Sequence, residues 1–166
     1  MLMDIQLAST TFLRITDFEK WGYIDTLGNV MVPVIYDAAG EFSNGFADVE
    51  RNGKIGFIDK RGEVVVEFLF DEAEPFERRL TVARKGDLAG LINRRGQTVV
   101  PFEYEDIFEL RDKYRLFMKD GLYGYMNDLG EEVIKPTFDD ASHFSEGLAR
   151  ISQEDAWKLY KENKAV

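Results

Sequence analysis

The sequence predicts an all-β protein made of tandem 34-residue units, and three observations predict it. Two glycine columns recur at that spacing without a break: Gly22, Gly56, Gly90 and Gly124, then Gly28, Gly62, Gly96 and Gly130. Aromatic residues keep the same phase at Tyr36, Phe70, Tyr104 and Phe138, each followed within two positions by an acid, Asp37, Asp71, Asp106 and Asp139. Between the glycines, apolar residues alternate with a period of two, as in Val32, Val34 and Tyr36. That period suits a half-buried strand, and a glycine every few residues would break an amphipathic helix. A fixed period of this kind marks a repeat architecture in which each unit buries its apolar face on the next.

The elements follow in order from this phase. Residues 1–11 form an N-terminal tail, and one repeat domain fills 12–166. Phe12 and Ile15 fall in the columns of Phe46/Leu80/Tyr114/Leu148 and Val49/Ala83/Phe117/Ile151, so 12–20 is the last part of a preceding unit. Full units run over about 21–54, 55–88, 89–122 and 123–156. Trp157 shares the column of Trp21, and 157–166 is a partial capping unit with Lys158 and Lys164 at the glycine positions.

Within the second unit as the type, Phe46 to Glu50 is a first strand, Ile55 to Asp59 a second and Val64 to Phe70 a third. Asn52-Gly53 between the first two is a strong hairpin signal, because both central residues of a type I′ turn need positive φ. Lys60-Arg61-Gly62 makes the second turn. Gly22 and its equivalents lie inside a strand, which marks close approach of another backbone or an aromatic ring. Pro33 and Pro101 share a column in the third strand, so that strand lies on an edge or carries a bulge there. The segment after it, as in Asp71-Glu72-Ala73-Glu74-Pro75-Phe76, is expected to be irregular. Its Asp forms an Asx-turn and its Ala and Phe tuck under the neighbouring strand. Three-stranded units of this length are expected to stack as a twisted open array, with a closed propeller-like ring as the alternative.

Composition narrows the function. Among 166 residues, 21 are Lys or Arg and 31 are Asp or Glu, for a formal net charge of −10. That balance disfavours nucleic acid and anionic membrane as partners. Cysteine is absent, which removes disulfides, thiolate nucleophiles, zinc–thiolate sites and iron–sulfur clusters, and leaves the redox compartment unread. The start, Met1 to Leu7, lacks a basic region followed by a sustained apolar run, and a soluble, cytoplasmic protein is expected. His143, the one histidine, lies near Ser142, Ser145, Asp139 and Asp140, but its column holds Glu41, Pro75 and Glu109, a freely varied loop position. The glycines lie singly in turns and open no helix, so they cradle no phosphate. No catalytic, cofactor-binding or metal-ligating residue is assigned, and no enzyme activity is expected.

Stacking units in register stacks their charges. Asp71, Glu72, Glu74, Glu77, Glu105, Asp106, Glu109, Asp139 and Asp140 all follow the third strand of their units and form one acidic ridge. The turns are locally basic, with Lys60 and Arg61, Arg94 and Arg95. The ridge is expected to dock a protein partner of basic surface, with a solubilising face as the plain alternative. Two other readings stand beside it: a small acidic inhibitor or immunity-type protein that neutralises a basic toxin or enzyme, and, third, a carbohydrate groove formed by the aromatic columns.

Trp21-Gly22-Tyr23-Ile24-Asp25-x-x-Gly28, Gly53-Lys54-Ile55-Gly56-Phe57-Ile58-Asp59-Lys60-x-Gly62 and Phe144-Ser145-Glu146-Gly147-Leu148-Ala149 resemble the WG repeat, also called the KWG repeat, over residues 12 to 160. Its signature positions here are Trp21, Gly22, Gly28, Gly56, Gly62, Gly90, Gly96, Gly124, Gly130 and Trp157. The tryptophan survives only in the first unit and the terminal fragment, and Arg79 and Lys113 replace the glycine seen at Gly45 and Gly147. The resemblance implies an all-β, mostly bacterial repeat protein with no established enzymatic activity and a role in protein contacts.

Overall fold

The computed structural model describes residues 11–154 and 156–161, and these form strands and tight turns. No helix long and apolar enough to cross a membrane is present among them. The tail, apart from Thr11, and the last five residues of the capping unit lie outside the described residues, as does the Trp157 side chain. By internal packing the chain divides into two compact units, Met1–Arg78 and Arg79–Val166. The first holds β1 (Leu13–Thr16), β2 (Trp21–Ile24), β3 (Val30–Tyr36), β4 (Ala38–Ala39), β5 (Phe46–Arg51), β6 (Lys54–Asp59), β7 (Val64–Phe70) and β8 (Glu72–Ala73). The second holds β9 (Leu80–Lys85), β10 (Leu88–Asn93), β11 (Thr98–Tyr104), β12 (Asp106–Arg111), β13 (Tyr114–Lys119), β14 (Leu122–Asn127), β15 (Glu132–Phe138), β16 (Asp140–Ala141), β17 (Leu148–Gln153) and β18 (Ala156–Lys161).

Chain neighbours pair antiparallel, as β1-β2-β3 and β4-β5-β6-β7 in the first unit, and as β9-β10-β11, β12-β13-β14-β15 and β16-β17-β18 in the second. Five sheets of three or four strands result among the described residues, each open at its edges. The fold class is the one the 34-residue phase predicts, all-β tandem repeats in open sheets.

One expectation needs correction. The segment after the third strand opens with a two-residue strand in the first, second and fourth repeats and is irregular only from there to Phe42, Phe76 and Phe144, because the outer backbone groups of the following first strand need partners. Ala38 and Ala39 pair with Glu50 and Val49, and Asp140 and Ala141 with Ser152 and Ile151. At β12 the same segment grows to a full strand of 6 residues.

The turns follow the positive-φ rule. Asn52 and Gly53 sit at φ 52° and 73° between β5 and β6. Asn44-Gly45 and Glu146-Gly147 make the equivalent two-residue turn before the first strand, and in β12–β13 its place is taken by Asp112 and Lys113, at φ 44° and 75°. A lysine in that region is strained by about 1–3 kcal/mol, while glycine there costs about 0.4–1 kcal/mol through the more mobile unfolded chain. Lys113→Gly is therefore expected to stabilise the protein by about 1 kcal/mol in urea unfolding, and a loss of stability would contradict this account of the turn.

The core lies between successive sheets. In the first unit Tyr23, Val32 and Tyr36 meet Ala47, Val49 and Ile58 of the next sheet, all nearly free of solvent. In the second unit one cluster joins Leu91, Val100 and Tyr104 to Ile107, Phe117 and Met126, and another joins Leu116, Tyr125 and Phe138 to Ala149 and Ile151. The expected alternation in the third strand is observed: Val32, Val66 and Val100 are buried, while Pro33, Glu67 and Pro101 are exposed. Each third strand also bulges against its second strand, since Trp21 pairs with Tyr36 but Tyr23 with Val32. The prolines thus sit on an edge strand and in its bulge.

Candidate interaction surface

Asp37, Glu105 and Asp139, each just after a third strand, reach across to the first hairpin turn of the same sheet rather than onto their own downstream backbone. Asp37 Oδ2 accepts the Asn52 amide at 2.7 Å, and Asp139 Oδ2 accepts that of Glu154 at 3.0 Å. In the third repeat the 34-residue position falls on Glu105, not Asp106, and Glu105 Oε1 accepts the Gly121 amide at 2.8 Å. A side chain one methylene longer reaches one residue further. The capping acids Asp37, Glu105 and Asp139 thus lie in one 34-residue phase, 68 and 34 residues apart, and Asp106 lies one position beyond it.

Asx-turns do occur, one hairpin later. Asp25 Oδ1 accepts the amides of Leu27 and Asn29, Asp59 those of Arg61 and Glu63, Asn93 those of Arg95 and Gln97, and Asn127 those of Leu129 and Glu131. These four acceptors are 34 residues apart at each step, a signal the sequence carries and the glycine columns overshadowed.

Neighbouring cations take several ridge acids. Lys20 binds Asp37, and this ammonium, together with the Asn52 amide, holds the Asp37 carboxyl below the usual carboxylate range. Lys54 meets Asp71 at 2.5 Å, Arg84 pairs with Asp106, and Arg111 with Glu109. Asp140 Oδ1 accepts the Ala141 amide at 2.8 Å. First-turn cations also cover third-strand rings. The Arg51 guanidinium lies 4.8 Å from the centre of the Phe68 ring, and Lys85 Nζ 4.8 Å from that of Phe102. These contacts draw the cations beside the first turn onto the sheet surface. Glu72, Glu74 and Glu77 are exposed.

His143 stands edge-on to Phe108 with ring centres 5.8 Å apart, and burial is the main cause lowering its pKa. It lines a cleft with Arg111, Asp112, Ser142, Phe144 and Ser145. The Ser142 hydroxyl donates to the His143 carbonyl oxygen at 3.1 Å and accepts the Arg150 amide at 2.9 Å, so its polar contacts are to backbone.

The geometry so far is that of a repeat whose turns are pinned by recurring side-chain acceptors. Among curated proteins none matches the chain. The model of a WG-containing repeat matches four times in tandem, at residues 21–54, 55–88, 90–123 and 123–157. Four tandem matches between residues 21 and 157 cover most of the sequence, and the chain belongs to the WG-containing repeat family.

Proposed function

We propose that this chain is a protein-interaction repeat module that holds a basic partner through the acids after its third strands, with Glu72, Glu74 and Glu77 foremost. One observation carries the choice of residues. Glu72, Glu74 and Glu77 are all exposed, three like charges within a short strand and its following loop. Charges so placed accelerate encounter with a surface of opposite sign and reject like-charged ones. Asp71 in the first unit, and Glu105, Asp106, Glu109, Asp139 and Asp140 in the second, are the further candidates, each within its own unit. The test is a Glu72→Lys, Glu74→Lys, Glu77→Lys variant used as bait beside the parent. Proteins retained by the parent and identified by mass spectrometry are expected to be lost from the variant, and the parent's capture is expected to weaken with added salt. Retention of the same proteins by the triple variant would overturn the reading.

A further inference from the structure

The third strands are not equally closed to company. β3, β7, β11 and β15 each pair, among the described residues, on one side only, with β2, β6, β10 and β14. An edge strand presents a row of unpaired amides and carbonyls, a template for another chain unless something blocks it. Three of the four carry a proline, Pro33 in β3 and Pro101 in β11 in one column, and Pro136 in β15 one position beyond that column, which holds Lys135 there; each deletes a backbone donor and stiffens its strand. β7 reads Val-Val-Val-Glu-Phe-Leu-Phe and has none. Its Glu67 stands 34 residues from both Pro33 and Pro101, in their column, and keeps its backbone N–H.

A proline turns away every strand, whereas a glutamate turns away only some. An acid opposite Glu67 would repel it, and an apolar residue there would strip water from its charge without return. A lysine or arginine opposite Glu67 is attracted. The flanking Val64 and Leu69, 38% and 56% exposed, offer apolar ground to either side, and Glu72 and Glu74 continue the same sign of charge. A second copy fits poorly, because centred antiparallel pairing of β7 with itself sets Glu67 against Glu67.

We propose that the outer edge of β7 accepts an extended segment of a protein partner by strand addition, and that Glu67 selects segments with a lysine or arginine opposite it. This rests on the reading of the chain as a protein-binding module but not on the acidic ridge.

The probes are two fluorescently labelled peptides of β7's own length, 7 residues, alternating threonine and valine around a central lysine or a central glutamate. In anisotropy titrations the lysine peptide is expected to bind at least about tenfold more tightly than the glutamate peptide. Slowed amide exchange on binding should appear in β7 and not in β3, β11 or β15. Glu67→Pro, which copies the sister strands, should abolish binding, and Glu67→Lys, which keeps every amide, should reverse the preference. Equal binding of the two peptides, binding of neither, or an undiminished response from a folded Glu67→Pro variant would overturn the proposal. So would a concentration-dependent dimer removed by Glu67→Pro, which would assign the edge to a second copy. In the bait experiment the two readings separate. Capture lost on reversing Glu72, Glu74 and Glu77 but kept in Glu67→Pro leaves the ridge and removes the edge, and the opposite outcome does the reverse.

Discussion

Gly124→Ala is expected to destabilise the second unit by about 3 kcal/mol and to lower its thermal midpoint by about 12–24 °C. A methyl group on Gly124 would stand 2.6 Å from the Ile134 carbonyl oxygen, 2.9 Å from the Pro136 nitrogen and 2.5 Å from Cζ of Phe117. Two of these are backbone of the bulged third strand, and the third is a fully buried ring. None can withdraw cheaply. Alanine would otherwise gain roughly 0.5–1 kcal/mol over glycine in a strand, so the clash must exceed that gain for a net loss to appear. The same close approach recurs at Gly22, 2.6 Å from the Val32 carbonyl oxygen, at Gly56, 2.6 Å from that of Val66, and at Gly90, 2.7 Å from that of Val100. The column exists because the third strand bulges over the second, and the bulge leaves no room for a Cβ. Chemical denaturation followed by tryptophan-independent circular dichroism measures the loss. An alanine variant as stable as the parent would mean that β15 can slide off β14 without cost.

Legibility of this fold tracked what repeats by residue type. The glycine columns and the Tyr36/Phe70/Tyr104/Phe138 column are set by hard sterics and burial, which tolerate few substitutes, so their spacing alone placed the strands, the bulge and the core. The short strands β4 and β16 were not legible, because two residues such as Ala38 and Ala39 carry no periodicity. What makes them strands is the unpaired outer edge of β5, a tertiary demand. The surface is legible only in part. A sequence shows that Asp37, Glu105 and Asp139 are acids in phase, but not that each points back at a hairpin amide, since that depends on the strand crossing that brings residues 15 or 16 apart together. Charge columns therefore need dividing into those that hold the fold and those left facing water. Glu67 is legible only once β7 is known to be an edge, for in a central strand the same residue would read as a misfit.

Phe76→Ala is expected to cost the first unit about 4 kcal/mol, the largest single loss expected in it. Phe76 lies in the loop after β8, yet it is fully buried, with its ring 4.7 Å and 61° from Phe57 and 5.7 Å from Phe46. Removing a buried phenyl group forfeits its transfer from water and leaves a cavity between two rings that are held by β5 and β6. The loss is compounded by position. The Phe76 carbonyl oxygen accepts Asn44 Nδ2 at 2.9 Å and the Ser43 hydroxyl at 3.2 Å, so the ring anchors the backbone on which the Asn44-Gly45 turn is fastened. Phe76→Leu separates the two contributions. Leucine stands in this column at Leu110, keeps most of the apolar volume and leaves the carbonyl in place, so it should cost only about 1 kcal/mol. Hydrogen exchange gives the local readout: Phe76→Ala should speed exchange in β5 and β6 before global unfolding, while Phe76→Leu should leave it near the parent. Equal losses from the two variants would show that ring geometry governs. Negligible loss from alanine would show that the loop rides on the sheet without supporting it.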